Sequence, residues 1–212
     1  MVALGDSITR GKGGMPMLGI HPQSWAQWVA ETLALPLTNL ATDGAVATDV
    51  VIGQVPRLLG PYDLGTLFIG ANDARAPQLD VAAFDEAVGL ILDVLAEAAD
   101  RVLVLSVPAE LGRPHAGKDV ERANHVLRWH AGRTGATLVD LSDLHGPRVM
   151  LPDSVHPTSP GMVEIADRAL AALGHSERVD SGERRHPWAR IDYARWYLKQ
   201  VARDAWRRLA ER

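Results

Sequence analysis

Apolar residues fall into two alternating kinds of segment along the chain. Short runs bounded by turn residues occur at Met1–Leu4, Leu37–Leu40, Thr66–Ile69, Val102–Val107 and Thr137–Leu141, the pattern of strands buried on both faces. Between and after them, apolar positions recur with helical spacing over Ser24–Leu33, Thr48–Leu59, Val81–Ala98, Asp119–Arg133 and Ser159–Leu173, which predicts helices. Regular alternation of strand and helix implies a five-stranded parallel sheet with right-handed crossovers, a three-layer α/β/α domain over residues 1–174. Ligands of such sheets bind beyond the carboxyl ends of the strands, so the residues just after each strand are where chemistry is expected.

Residues 175–185 read as a polar connector. From 186 to 212, Ile191, Ala194, Leu198, Val201, Ala205 and Leu209 share one stripe with Arg and Lys elsewhere, which predicts a terminal amphipathic helix. This tail also holds Trp188, Trp196, Trp206, Tyr193 and Tyr197. Residues 175–212 carry 10 basic and 6 acidic side chains, whereas residues 1–174 carry 12 and 20, so the charge reverses at the connector. Docking of the stripe on the acidic domain, or on a second copy of it, is the expected arrangement; a basic amphipathic helix on an anionic membrane surface is the alternative.

Composition narrows the classes of function. At 212 residues, 47% hydrophobic and 23% charged, the chain has the makeup of one globular domain with a short appendage. The absence of cysteine excludes disulfides, thiolate zinc sites, iron–sulfur clusters and a cysteine nucleophile. A net charge of −4 lacks the basic footprint of a nucleic-acid binder, so nucleic acid is not an expected partner. The longest apolar stretch, Ala87–Ala99, is interrupted by Asp93 and Glu97, and no span reaches the roughly 20 residues that cross a bilayer. Only Met1–Leu4 precede the first polar cluster, too few for a secretory signal, so a cytoplasmic location is expected. The histidines show no His-x-x-x-His spacing; neither a metal nor another cofactor is expected.

Four polar clusters stand where the sheet's carboxyl edge is predicted. Gly5-Asp6-Ser7-Ile8 follows the first strand, Asn39 to Ala45 the second, and Gly70-Ala71-Asn72-Asp73 the third, while Asp153-Ser154-Val155-His156 precedes the last helix of the domain. Each alone fits a cap or turn, and Asp6 in particular has holding the turn as its commoner role. Together they contain the parts of a nucleophilic site. A serine hydroxyl needs a base, and that base needs an orienting group; Asp153, three residues before His156, can reach the second imidazole nitrogen if the segment turns. Competing motifs fail. A Walker loop ending at Lys12 needs glycine where Asp6 stands and Ser or Thr where Gly13 stands. A nucleophile elbow needs glycine where Thr9 stands.

The four clusters, in this order, resemble the blocks of the SGNH hydrolases, the GDSL esterase/lipase family, over about residues 1–173. The resemblance implies a flavodoxin-like sandwich with strand order 2-1-3-4-5 and a serine esterase or acylhydrolase that cleaves small-molecule carboxylic esters through an acyl-enzyme. By position it implies Ser7 as nucleophile, His156 as base, Asp153 as its orienting carboxylate, and an oxyanion hole formed by the Ser7 and Gly44 backbone N–H groups with the Asn72 side chain. Gly44 suits that place because a residue without Cβ lets its backbone approach a substrate. A non-catalytic lipid or carbohydrate binder on the same fold is the competing reading, as is a membrane-peripheral protein. Specificity belongs to the loops. Met15, Met17, Leu18 and Ile20 are available either to line an acyl pocket or to pack on the helix beginning near Ser24, and Arg113 and His115 are available to a polar or anionic substrate head.

Overall fold

The computed structural model describes residues 1–14, 18–182 and 187–210, with side chains left out at 187–190, 192, 204 and 207–210. Among the described residues, β1 (Val2–Gly5), β2 (Thr38–Asn39), β3 (Gly65–Phe68), β4 (Val102–Leu105) and β5 (Thr137–Val139) form one parallel sheet in the order β2-β1-β3-β4-β5. Ala3 of β1 pairs with Asn39 on one side and Thr66 on the other. β4 stops at Leu105, short of the apolar run that continues to Val107, because side chains take over there. The Ser106 hydroxyl accepts from Leu141 N (2.8 Å) and donates to Asp140 (3.1 Å), and the Asn124 amide brackets Val107, accepting from its N–H at 2.7 Å and donating to its carbonyl at 2.8 Å.

The helices are α1 (Ser7–Arg10), α2 (Trp25–Thr32), α3 (Ala47–Gly53), α4 (Ala71–Ala74), α5 (Val81–Ala98), α6 (Lys118–Thr134), α7 (Ser159–Ala172) and α8 (Pro187–Ala210). Several begin where a side chain caps them: Ser24 accepts from Gln27 N, Asp80 from Ala83 N and Thr158 from Gly161 N, each at 3.1 Å, satisfying donors that the helix cannot. The helix expected over Thr48–Leu59 is shorter. It starts at Ala47, ends at Gly53 and gives way to a 3₁₀ turn at Val55–Arg57, because Pro56 lacks an N–H and disfavours helical geometry in the residue before it.

Chain direction decides the layers. β1 to β2 steps one way across the sheet, and every later connection steps the other way, so right-handed crossovers put α2 on one face and α3, α5 and α6 on the opposite face. The packing agrees: α2 lies against α7, and α5 lies against both α3 and α6. Trp25 of α2, fully buried, meets Phe68 of β3 edge-on with ring centroids 6.3 Å apart. On the other face α5 buries Phe84, Val88, Ile91, Leu92 and Leu95. Each such side chain contributes about 1.5–3 kcal/mol. Among the described residues no helix is long and apolar enough to cross a membrane.

After α7 the segment read as a polar connector returns to the body. Val179 is buried, and its N–H donates to Asp167 of α7 at 2.8 Å. The terminal helix then presents a different face from the expected one. Tyr193, Trp196 and Tyr197 are half-buried, whereas the stripe of Ile191, Ala194, Leu198, Val201 and Ala205 is exposed. Hydrophobicity marked a face of α8, but the aromatic residues on the opposite side are what touch the body. Leu209 and Trp188, also named in the expectation, lie outside the described side chains.

Candidate active site

β1 delivers the first group. Gly5 ends the strand where a Cβ would lie 2.3 Å from the carbonyl oxygen of Phe68, so only glycine lets β1 and β3 run this close before the chain turns. Asp6 then caps α1, accepting from Ile8 N at 2.9 Å, and Ser7 becomes the first residue of the helix, 5% exposed. The Ser7 hydroxyl lies 3.1 Å from Nε2 of His156.

The histidine sits on a turn that organises itself. Asp153 Oδ2 is 2.8 Å from His156 Nδ1, while Oδ1 accepts from the backbone N–H groups of Val155 (2.9 Å) and His156 (3.1 Å). One carboxylate therefore shapes the loop and orients the ring. Burial raises the Asp153 pKa, but the hydrogen bond from the His156 ring and the two backbone donors outweigh it and hold the carboxyl below its ordinary range. Ser154, in the middle of the turn, has a left-handed backbone with φ +53°. It is braced from outside: Arg113 Nε donates to its hydroxyl at 3.1 Å, and its carbonyl accepts from Gly112 N at 2.9 Å. Arg113, available by sequence to a substrate head, thus braces the Asp153–His156 turn.

The remaining clusters close around the same edge. Asn72 donates one amide N–H to the carbonyl of Ala45 at 2.9 Å, and Asp73 accepts from Ala47 N at 2.9 Å, which ties α4 to the loop carrying Gly44. Arg10 approaches Asp43 of that loop at 3.9 Å. Gly44 has φ +78°, yet a Cβ there would meet nothing within 4 Å. Its glycine is required by the left-handed backbone, and crowding within the protein plays no part. Met15 and Met17 lie outside the described residues, and Ile20 is buried in the core, so this isoleucine takes the packing role.

Gln54 escaped the sequence reading. It is buried between α3 and the 3₁₀ turn, where its amide accepts from Gly5 N at 2.9 Å and donates to Gly5 O at 2.8 Å, and it reaches the Thr42 hydroxyl at 3.2 Å. One side chain pins the residue that positions the Asp6-Ser7 turn. Gln54→Ala leaves Gly5 N without this partner, and an orphaned buried donor costs roughly 1–3 kcal/mol. The expected result is a fall of that size in unfolding free energy, measured by denaturant titration. A lone glutamine within an apolar helix was the only signal available beforehand.

Asp6 and Asp73 each leave one carboxylate oxygen buried without a partner among the described residues. Burial pushes the Asp6 pKa up to about 7, opposed by its bond from Ile8 and the nearby His156 and reinforced by Asp73. Burial likewise raises Asp73. The native state therefore holds the Asp6 proton more tightly than the unfolded chain does. The linked stability is fully present below the ordinary carboxyl value of 3.8 and is lost as the pH rises toward about 7. Asp6→Asn keeps a capping oxygen for Ile8 and removes the titration. The variant is expected to flatten the pH dependence of the denaturation midpoint over that window; an unchanged slope would place the ionisation elsewhere.

Sequence and structure comparisons point one way. A model of the GDSL-like Lipase/Acylhydrolase family matches residues 3–163. No curated protein matches the sequence. Among solved structures, TesA superposes with a TM-score of 0.68 at 18% identity, covering 81% of this chain and 96% of its own. An α/β hydrolase enzyme from the metagenome of Lake Arreo, Spain, superposes at 0.67 and 21% identity, with 82% and 94% covered. An acetylxylan esterase from Geobacillus stearothermophilus gives 0.64 at 16% identity, again with 82% and 94% covered. These likenesses are likenesses of fold, and the sheet order is common ground with the sequence expectation. With its four polar clusters in order along that sheet and the family model spanning residues 3–163, the chain belongs to the GDSL-like lipase/acylhydrolase family of ester hydrolases.

Proposed function

We propose that the protein hydrolyses small carboxylic esters through a Ser7–His156–Asp153 triad and an acyl-enzyme intermediate. The observation that carries this reading is the unbroken path from the Ser7 hydroxyl to His156 Nε2 (3.1 Å) and from Nδ1 to Asp153 (2.8 Å), linking groups 149 residues apart in the chain. The Asp153 carboxylate, held ionised, fixes the tautomer in which Nδ1 carries the proton and Nε2 is free to accept one. In the first step Ser7 Oγ attacks the ester carbonyl while Nε2 takes the hydroxyl proton. The imidazolium then protonates the departing alkoxide, leaving the acyl group on Ser7. Water, deprotonated by the same nitrogen, attacks the acyl carbonyl, and collapse of the second tetrahedral intermediate returns the carboxylic acid and free Ser7.

Both intermediates place negative charge on the former carbonyl oxygen. The donors assigned to it are the Ser7 and Gly44 backbone N–H groups and the second amide N–H of Asn72, whose first is engaged by Ala45. Each such donor is worth about 2.7–4 kcal/mol in a preorganised site. A carbohydrate or lipid binder on the same fold has no use for a base hydrogen-bonded to the serine.

The reading is tested by intact-mass analysis after treatment with a fluorophosphonate, which phosphonylates activated serines. A single adduct mapped to the peptide containing Ser7, with concurrent loss of p-nitrophenyl ester turnover, is expected. Turnover that persists in the fully labelled protein would overturn the assignment.

A further inference from the structure

The apolar stripe of α8 is a long surface without a partner among the described residues. Ile191 (43% exposed), Leu198 (66%), Val201 (41%) and Trp206 (75%) stand on it, with Ala194, Ala202 and Ala205 between them. At 100° per residue these positions occupy one side of the helix, the side opposite Tyr193 and Gln200. Arg195, Lys199 and Arg203, all exposed, run along one border of the stripe. Trp206 sits at that same border.

We propose that α8 is a docking element that seats the protein on an anionic lipid surface. In this arrangement Ile191, Leu198 and Val201 enter the acyl-chain boundary, Arg195, Lys199 and Arg203 meet the lipid phosphates, and Trp206 lies at headgroup depth. Charge decides for this occupant. Residues 1–174 carry an excess of 8 negative charges and are repelled by such a surface, whereas α8 carries six basic against two acidic residues. The helix therefore sets both the attraction and the orientation. A second copy of the chain fits less well. Its acidic surface would satisfy the arginines, but the large apolar side chains exposed on the body, Ile52, Leu59, Val81, Leu90 and Trp129, are distributed over α3, the following loop, α5 and α6.

The other side of the helix places the site in this arrangement. Tyr197 reaches a hollow bounded by Arg113, Met150, Leu151 and Ser154, which contains the brace of the Asp153–His156 turn. A surface-bound α8 thus stands with its back to the acid–base loop.

Co-sedimentation of the full-length protein with large unilamellar vesicles tests the proposal. Strong binding to phosphatidylcholine doped with phosphatidylglycerol is expected, with weak binding to phosphatidylcholine alone. Replacing Arg195 and Lys199 together by Gln should lower the partition coefficient about 30-fold, from ~1 kcal/mol for each cation near an anionic surface. Leu198→Glu with Val201→Glu should abolish binding, with hydrolysis of a soluble p-nitrophenyl ester unchanged. Because sedimentation reads binding directly, its outcome is independent of whether the triad assignment holds. Failure to bind the anionic vesicles, or binding that both variants leave intact, would overturn the proposal. So would a concentration-dependent dimer in analytical ultracentrifugation that the glutamate pair dissolves, since it would assign the stripe to a second copy.

Discussion

Ser7→Ala is expected to lower kcat for p-nitrophenyl esters by about 10⁶-fold, the scale on which removal of an activated serine acts in a triad. The path to His156 ends at this oxygen, so its loss takes away both the covalent step and the proton that the base was placed to receive. What survives is the rate that an oxyanion hole and bound water supply, on the order of 10³–10⁴ over solution. The fold should tolerate the change. Ser7 is one residue into a short helix, its capping bond belongs to Asp6, and the substitution removes a hydroxyl without opening a core cavity. Thermal melts matching the unsubstituted protein, alongside abolished turnover, are the paired result; turnover within tenfold of the parent would remove Ser7 from the mechanism.

The second large effect comes from exchanging one carboxylate oxygen for an amide nitrogen. Asp153→Asn preserves the oxygen that accepts from Val155 and His156 N–H groups, so the turn is expected to keep its shape. The amide nitrogen, however, then faces His156 Nδ1 and donates to it. That reverses the tautomer: Nδ1 becomes the acceptor, Nε2 carries the hydrogen and points it at Ser7, and the imidazole can no longer take the serine proton. A loss of about 10⁴-fold in kcat is the expected size for this inversion, with fluorophosphonate labelling of Ser7 slowed in parallel. Asp153→Ala separates the roles, because it also releases two backbone donors and should lower stability where the asparagine does not.

Sequence alone specified the sheet, its order through the family resemblance, and the order of the polar clusters, because both strand burial and helix periodicity leave local marks. Ser24, Asp80 and Thr158 mark helix starts by the same local logic. Less accessible were relations made in space. Gln54 is silent in sequence because an amide that clamps a backbone 49 residues away looks like any polar residue in a short helix. For Arg113 the sequence left a substrate head as one use of an exposed loop arginine, and only folding reveals that Ser154 lies within its reach. At α8, periodicity identified the stripe but not its partner, since Tyr193 and Tyr197 satisfy the body from the side that a hydrophobicity argument ranks second. Gly44 was legible as a residue type but not in its backbone, since its φ of +78° is set by the folded loop.

The self-contained turn from Asp153 to His156 bears on how this catalyst fails. Base and orienting carboxylate are three residues apart and bonded to each other, so thermal motion of the loop carries them as one body. What this pair makes across the fold is the 3.1 Å contact between His156 and Ser7. Opening of this loop is expected to break the Ser7–His156 contact and the Gly112 and Arg113 braces on Ser154 while the Asp153–His156 hydrogen bonds stay made.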